Sequence, residues 1–369
     1  MDLIRLSKSS ISLGDIFSVC RALHKGYLGM GEYVIKFENE LRTYFPERQV
    51  CAVNTGTSAL QLVCQAILEP GDEIIVPSIT YLANFHAVKA CGAIPVACDI
   101  NEYDVNININ EAAKLITDRT KAIMPVHMTG NPGNLMKVYS FARKHNLRVI
   151  EDASHAFGSY YNDKKIGCQG DIVVFSLDGI KNLTSGEGGI IVTSDENVYS
   201  KVCEYRLLSV PNDTLNRAQG KRTYYFDITQ QGWRYHMSNL HASLGLSQLK
   251  KISRLNEKRQ ALAKNYTRHL PENVLYHIDY NNVVPHTFIL KLKDQDQRDR
   301  LRDLFDKNKI QWGLHYYPNH LHAFFKEDRG QSFLNSMRHF ENSISIPLHP
   351  DLNIRDQRRV IEVIKSVIN

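Results

Sequence analysis

Asp171-Ile-Val-Val-Phe-Ser-Leu-Asp-Gly-Ile-Lys181-Asn-Leu-Thr-Ser-Gly-Glu-Gly-Gly189 is the most informative stretch of this chain. Ile172 to Phe175 is an apolar run with the length and composition of a buried strand. The chain then leaves through Ser176, passes Lys181 and a glycine-rich turn, and enters a second β-branched run, Ile190 to Thr193. A lysine on a short loop between two buried strands lies close to low-dielectric surroundings. Such surroundings disfavour the ammonium form and free the amine as a nucleophile toward a carbonyl. A solvated surface charge is the ordinary alternative for a single loop lysine, so the residues upstream have to decide.

Upstream, strands alternate with helical stretches. Val50 to Val53 is a short strand, and Asn54-Thr-Gly-Thr-Ser58 turns into a helix over 59–67. Glu73 to Pro77 is a strand followed by Ser78-Ile-Thr-Tyr81 and a helix through Phe85, Val88 and Ala90. Further strands are expected at Gly92 to Asp99, Lys121 to His127 and Leu147 to Asp152, with an amphipathic helix from Asn134 to His145. Strands apolar on both faces, alternating with helices, predict a mostly parallel sheet covered by helices. Ligands of such sheets collect at the carboxyl ends of the strands. Thr55 to Ser58, Tyr81, His127, Asp152 and Ser176 all fall at such ends.

Nearer the N-terminus, residues 11–45 read as two helical segments separated by Gly26-Tyr-Leu-Gly-Met-Gly31, which is either a plain turn or a place where backbone approaches a ligand. Residues 197–232 are less regular, and Lys221 to Tyr225 suggests an exposed basic and aromatic loop. A helix from Asn239 to Ile252 is expected to run on toward Tyr266. Beyond about residue 270 the pattern becomes α+β: strands at 283–292, 310–314 and 343–347, helices at 296–307 and 354–367. A large domain over residues 1–250 and a smaller one over 251–369 are therefore expected.

Composition narrows the class. The chain of 369 residues is 43% hydrophobic and 23% charged, as in an ordinary globular protein. Lys+Arg of 45 against Asp+Glu of 39 gives +6, spread along the chain; this favours an anionic small molecule and gives no footprint for nucleic acid. Seven scattered cysteines without a Cys-x-x-Cys pair read as reduced core thiols, not as disulfides or a metal site. Asp2 and Arg5 interrupt the apolar start and no run approaches transmembrane length, so no signal peptide, no membrane span and a cytoplasmic location are expected.

A carboxylate, a lysine, an aromatic ring and a phosphate seat at strand ends are the parts of a pyridoxal phosphate site. The cofactor's aldehyde needs an amine for a Schiff base, which Lys181 can supply. Its pyridine nitrogen draws electrons only while protonated, and a buried Asp152 would keep the proton there. Tyr81 suits the flat ring as a stacking partner. Gly56, Thr57, Ser58 and Ser176 offer N–H groups and hydroxyls to the phosphate at a helix N-terminus, although ordinary capping by Thr55 or Thr57 accounts for the same residues.

Thr55-Gly-Thr-Ser-Ala-Leu60, Gly71-Asp-Glu-Ile-Ile-Val-Pro77, Thr80-Tyr81, Val149-Ile-Glu-Asp-Ala-Ser-His-Ala-Phe-Gly158 and the motifs from Phe175 to Gly189 together resemble the DegT/StrS family of sugar-nucleotide aminotransferases. Gly26 to Gly31, His315-Tyr316 and Pro347-Leu-His-Pro350 fit the same family, so the resemblance runs in order along nearly the whole chain. It implies an aspartate-aminotransferase-like α/β fold (pyridoxal phosphate fold type I) and a homodimer with active sites at the subunit interface. It also implies transfer of an amino group from L-glutamate to a keto-deoxyhexose linked to a nucleoside diphosphate. By the same resemblance Lys181 is the Schiff-base lysine and proton shuttle, Asp152 pairs with the pyridine nitrogen, Tyr81 stacks on the ring and His155 lies near the phenolic oxygen. His155 as a packed histidine on the turn after the strand is the alternative. His315 and Tyr316 are candidate substrate contacts or a buried structural pair.

The chain departs from the family where Gly-Tyr-Asn-Tyr-Arg-Met becomes Gly232-Trp-Arg-Tyr-His-Met237. The family's asparagine reaches the cofactor phosphate from the neighbouring subunit. Arg234 stands at that position and, as a bidentate phosphate ligand, can keep the role or pass to the substrate diphosphate. His236 in place of arginine has no assigned role. Lysine at 181 favours transamination over the dehydration run by relatives with histidine there. C4 of a 4-keto-6-deoxy sugar is the expected site of amination, with C3 as the alternative. Two rivals remain. A nucleotide-binding dehydrogenase or kinase lacks its glycine fingerprint or Walker-type lysine here, and a cofactor-binding regulatory protein would lack turnover.

Overall fold

In the computed structural model of the chain, the residues described are 2–210, 225–326 and 329–368. Two helices open it, α1 (Leu13–His24) and α2 (Glu32–Tyr44). A seven-stranded sheet follows, its strands separated by helices: β1 (Gln49–Val53), α3 (Gly56–Ile67), β2 (Glu73–Pro77), α4 (Ala83–Ala90), β3 (Ile94–Cys98), α5 (Ile109–Ala113), β4 (Thr120–Ile123), α6 (Leu135–Lys144) and β5 (Arg148–Asp152). A hairpin of two-residue strands, β6 (Tyr160–Tyr161) and β7 (Lys164–Lys165), leads to β8 (Ile172–Ser176), β9 (Gly189–Thr193) and α7 (Glu196–Tyr205). The strand order is β1-β9-β8-β5-β4-β2-β3. Five strands pair in parallel, while β9 runs antiparallel between β1 and β8.

Alternation along each strand sends successive side chains to opposite faces. Ile172 and Val174 of β8 join Ile150, Leu60, Phe85 and Val202 in the core under α3, α4 and α7. Val173 and Phe175 face the other way, with Val34, Phe37 and Leu41 of α2. The same period fixes the last residues of β5. Asp152, two after Ile150, shares its face and meets Asn84 of α4. Glu151 turns away and accepts a hydrogen bond from Tyr139 of α6 at 2.6 Å.

The remaining elements are α8 (Asn239–Leu249), α9 (Ile252–His269), β10 (Phe288–Lys291), α10 (Gln295–Lys307), α11 (Leu334–Asn342), β11 (Ser343–Ile346) and α12 (Ile354–Ile368). Strands β10 and β11 pair antiparallel, and with α9, α10 and α12 they enclose a separate core of Tyr266, Phe288, Leu301, Phe305, Ile344 and Ile364. Arg206, fully buried just after α7, pairs with Glu38 of α2 and donates to the Ala52 carbonyl of β1 (2.7 Å), while Glu38 accepts the Ala52 N–H (2.9 Å).

Several expectations need correction. The helix expected to run from 239 toward 266 is two helices broken at Lys250 and Lys251. The strand expected at 283–292 forms only over Phe288–Lys291, and 310–314 makes isolated bridges only, Ile4↔Ile310 and Gly313↔Ser345, the second at the edge of β11. Residues 196–205 are a regular helix capped by Asp195. Residues 221–224 of the basic and aromatic stretch lie outside the described residues; Tyr225 at its end is exposed. Among the described residues no helix is long and apolar enough to cross a membrane.

Candidate active site

A cavity of about 490 Å³ opens at the carboxyl ends of β1, β5 and β8. The N-terminus of α3 forms one wall. Thr55 caps that helix, its hydroxyl accepting from the Ser58 N–H (3.0 Å), so the capping reading holds. The N–H groups of the next positions, Gly56 and Thr57, have no intrahelical partner by position and border the cavity. Ser176, at the end of β8, borders it beside them. A Cβ on Gly56 would lie 2.8 Å from Cβ of Ser176, so only glycine lets helix and strand approach this closely. Ser58 is not part of the lining. Its hydroxyl is engaged by Asn54 Oδ1 (2.7 Å) and Thr55 Oγ1 (2.8 Å), within the capping network of α3.

Asp152 is buried on the cavity floor. Its Oδ2 accepts from Asn84 Nδ2 (2.8 Å) and its Oδ1 from the Ser154 N–H (3.0 Å), while Thr80 donates to Asn84 (2.8 Å). The carboxylate thus has neutral hydrogen-bond donors and a face toward the cavity. Lys181 sits on the turn between β8 and β9. Burial drives its amine down to about 8, against the pull of Asp152 and Asp178 toward the ammonium. His155 is buried; its Nε2 lies 3.2 Å from the Tyr316 hydroxyl, its ring packs on His286 at 4.4 Å, and its Nδ1 has no hydrogen-bond partner among the described residues. Burial and the nearby Lys181 hold His155 and His286 well below the ordinary imidazole range, and the same causes bring His315 to about 4. Three neutral imidazoles therefore surround one amine that titrates near physiological pH, and the amine is the group suited to moving protons.

Tyr81 stands at the mouth, more than half exposed, with its ring 5.8 Å from that of Tyr316. His315 and Tyr316 line the cavity from the C-terminal part of the chain. Arg234 does not. It is exposed, outside the cavity of its own chain, on a segment tied to the end of β1 through the Asn54 N–H and Tyr235 carbonyl (2.7 Å). Sequence reasoning missed Asn84, His286, Asp178 and Glu187. The acids lay in the stretch first quoted, without a role. His286 and Asn84 carry no local signal and reach the cavity only through packing.

Residues 14–365 match the DegT/DnrJ/EryC1/StrS aminotransferase family. The chain belongs to that family. It is 30% identical over 366 residues to SpsC of Bacillus subtilis, a spore coat polysaccharide biosynthesis protein, covering 96% of this chain and 94% of that one. Among solved structures, PseC of Helicobacter pylori, an aminotransferase involved in the biosynthesis of pseudoaminic acid, superposes with a TM-score of 0.91 at 25% identity over 100% and 99% of the two chains. DesV of S. venezuelae gives 0.87 at 28% identity over 95% and 93%. This member of the DegT/DnrJ/EryC1/StrS family is accordingly a pyridoxal phosphate-dependent sugar aminotransferase with the aspartate-aminotransferase-like fold.

The cavity fits that cofactor on its own terms. The close approach that Gly56 permits sets the Ser176 side chain beside the N-terminus of α3, Asp152 offers a buried carboxylate whose hydrogen-bond donors are neutral, and His155 keeps a buried ring nitrogen without a hydrogen-bond partner among the described residues.

Proposed function

We propose that this sugar aminotransferase takes an amino group from L-glutamate and delivers it to C4 of a nucleoside diphosphate-linked 4-keto-6-deoxy sugar. The observation that carries the reading is the buried Lys181 amine facing the same cavity as Asp152 and the N-terminus of α3. Pyridoxal phosphate, when bound, supplies an aldehyde for amines and a protonated ring that draws electrons from the neighbouring carbon. Asp152 holds the proton on the ring nitrogen, and Gly56, Thr57 and Ser176 hold the phosphate. Nζ of Lys181 takes and returns the proton at the carbon that carries the amine. Tyr81 would cover a ring face, His155 would lie near the phenolic oxygen, and His315 and Tyr316 would contact the substrate.

We place Arg234 in the cavity of a second subunit, within a homodimer, as a ligand for a phosphate there. Its exposure and its absence from the lining of its own cavity support this, as does the apolar surface on α1, where Leu13 and Phe17 are exposed. Division of the chain near residue 250 into a large and a small domain draws support from the helix break at Lys250 and from the separate C-terminal core. Seven free cysteines suit a reducing, cytoplasmic setting.

The test is the visible absorption of the protein with pyridoxal phosphate before and after L-glutamate, with Lys181→Ala as control. A band bleached by L-glutamate and absent from the variant is expected, and keto-sugar nucleotides should then restore it. Mass and NMR analysis of the product separates C4 from C3 amination. A band indifferent to L-glutamate would remove this donor and favour a ligand-sensing role; no band would remove the proposed site.

A further inference from the structure

The corner His315-Tyr316 puts two side chains into the cavity from a segment with no regular secondary structure, and something outside the cavity must hold it. Ser345 Oγ lies 2.6 Å from Nδ1 of the His315 ring, and the Tyr316 hydroxyl meets His155. The backbone between those side chains is held from behind by His339, a buried residue of α11. Its Nε2 lies 2.8 Å from the His315 carbonyl oxygen, and its Nδ1 lies 2.7 Å from the hydroxyl of buried Tyr276. A carbonyl only accepts, so Nε2 carries the hydrogen. In the uncharged ring Nδ1 is then the acceptor and Tyr276 the donor. Burial holds His339 near 4, so this arrangement persists at neutral pH.

Helix α11 is itself anchored. The Asp99 carboxylate, just beyond β3, accepts the Ser336 N–H (2.8 Å), the Ser336 hydroxyl (2.6 Å) and the Asn335 N–H (3.0 Å). His339 follows Ser336 by three residues, close to one helical turn, so its ring projects from the anchored side of the helix.

We propose that His339 is a positioning residue for the transamination, an imidazole locked between Tyr276 and the His315 carbonyl that fixes the Tyr316 ring and so keeps its hydroxyl on His155. This rests on the cavity being the catalytic site. It touches neither substrate nor cofactor, and its effect passes through Tyr316 to the orientation of the His155 ring.

The experiment compares His339→Leu, His339→Gln and Tyr276→Phe with the parent enzyme. The first readout is the set of histidine ring nitrogen resonances in the cofactor-free protein. The second is kcat against KM in the loaded enzyme. In His339→Leu the His155 Nε2 signal should move toward that of an unbonded imidazole. Its kcat should fall about ten- to a hundredfold, because small misplacements at a reacting centre cost rates of that order, with KM for the amino donor changed far less. Glutamine, whose amide can still donate to the carbonyl, should restore the His155 signal and bring kcat to within about threefold of the parent. If His339→Leu fails to fold, Tyr276→Phe carries the test, since it keeps His339 and removes only its donor; the same His155 shift is expected. An unmoved His155 signal in Leu and Phe variants, or a glutamine variant as slow as the leucine one, overturns the proposal. A parent enzyme without transaminase turnover would sink the functional reading, while the His155 signal would still decide the role of His339.

Discussion

Lys181 carries a charge that the fold resists. With its amine near 8, roughly a tenth is neutral at pH 7, against about one in three thousand for a solvated lysine. The rate at which cofactor-free protein acquires its visible band with pyridoxal phosphate should therefore rise with pH and level off above about 8. The Asp152 charge favours the ammonium, so Asp152→Asn should shift the midpoint of that profile to lower pH. A midpoint near 10 in the parent protein would contradict the burial argument. Gly56 offers a second check. The Cβ of Gly56→Ala must displace Ser176, an overpacking that costs about 1–3 kcal/mol. A fall in the melting temperature and a weaker cofactor dissociation constant should appear together.

Between elements, one tie of the large sheet to its covering helices is ionic and buried. Glu38 on α2 and Arg206 after α7 share the Ala52 peptide of β1. Glu38→Ala leaves the guanidinium buried without its counter-charge, and denaturant unfolding should report a loss of about 3–5 kcal/mol. A loss below about 1 kcal/mol would mean that water reaches Arg206. Much at this scale was legible in the sequence: strands buried on both faces show as apolar runs, and β2, β5 and β8 form where those runs lie. The direction of β9 was not, because a buried strand has the same composition whichever way it runs. Helix α7 did carry a signal, with Val198, Val202 and Tyr205 at helical spacing behind the Asp195 cap. In the site, Lys181 and Asp152 were legible because their chemistry is rare at strand ends. Asn84 and His286 are ordinary residues whose importance comes from what folding sets beside them.

For the whole molecule, the decisive property is whether one site draws on two chains. Lys181→Ala and Arg234→Ala, each impaired alone, should complement when unfolded and refolded together. Random pairing makes about half of the dimers hybrid, with one complete site in each, so about a quarter of parent activity should return. Light scattering should give twice the 42.2 kDa chain mass. No recovery on mixing would place Arg234 outside the partner's site. The antiparallel seat of β1 has a consequence for the chain's birth as well. Among the described residues its only strand partner in the sheet is β9, with Gln49 opposite Thr193. At about 5–20 residues per second a ribosome adds the intervening 140 or so residues in roughly ten to thirty seconds. Throughout that interval Val50 to Val53 have no strand to dock on, and the nascent chain must shelter them by other means until β9 emerges.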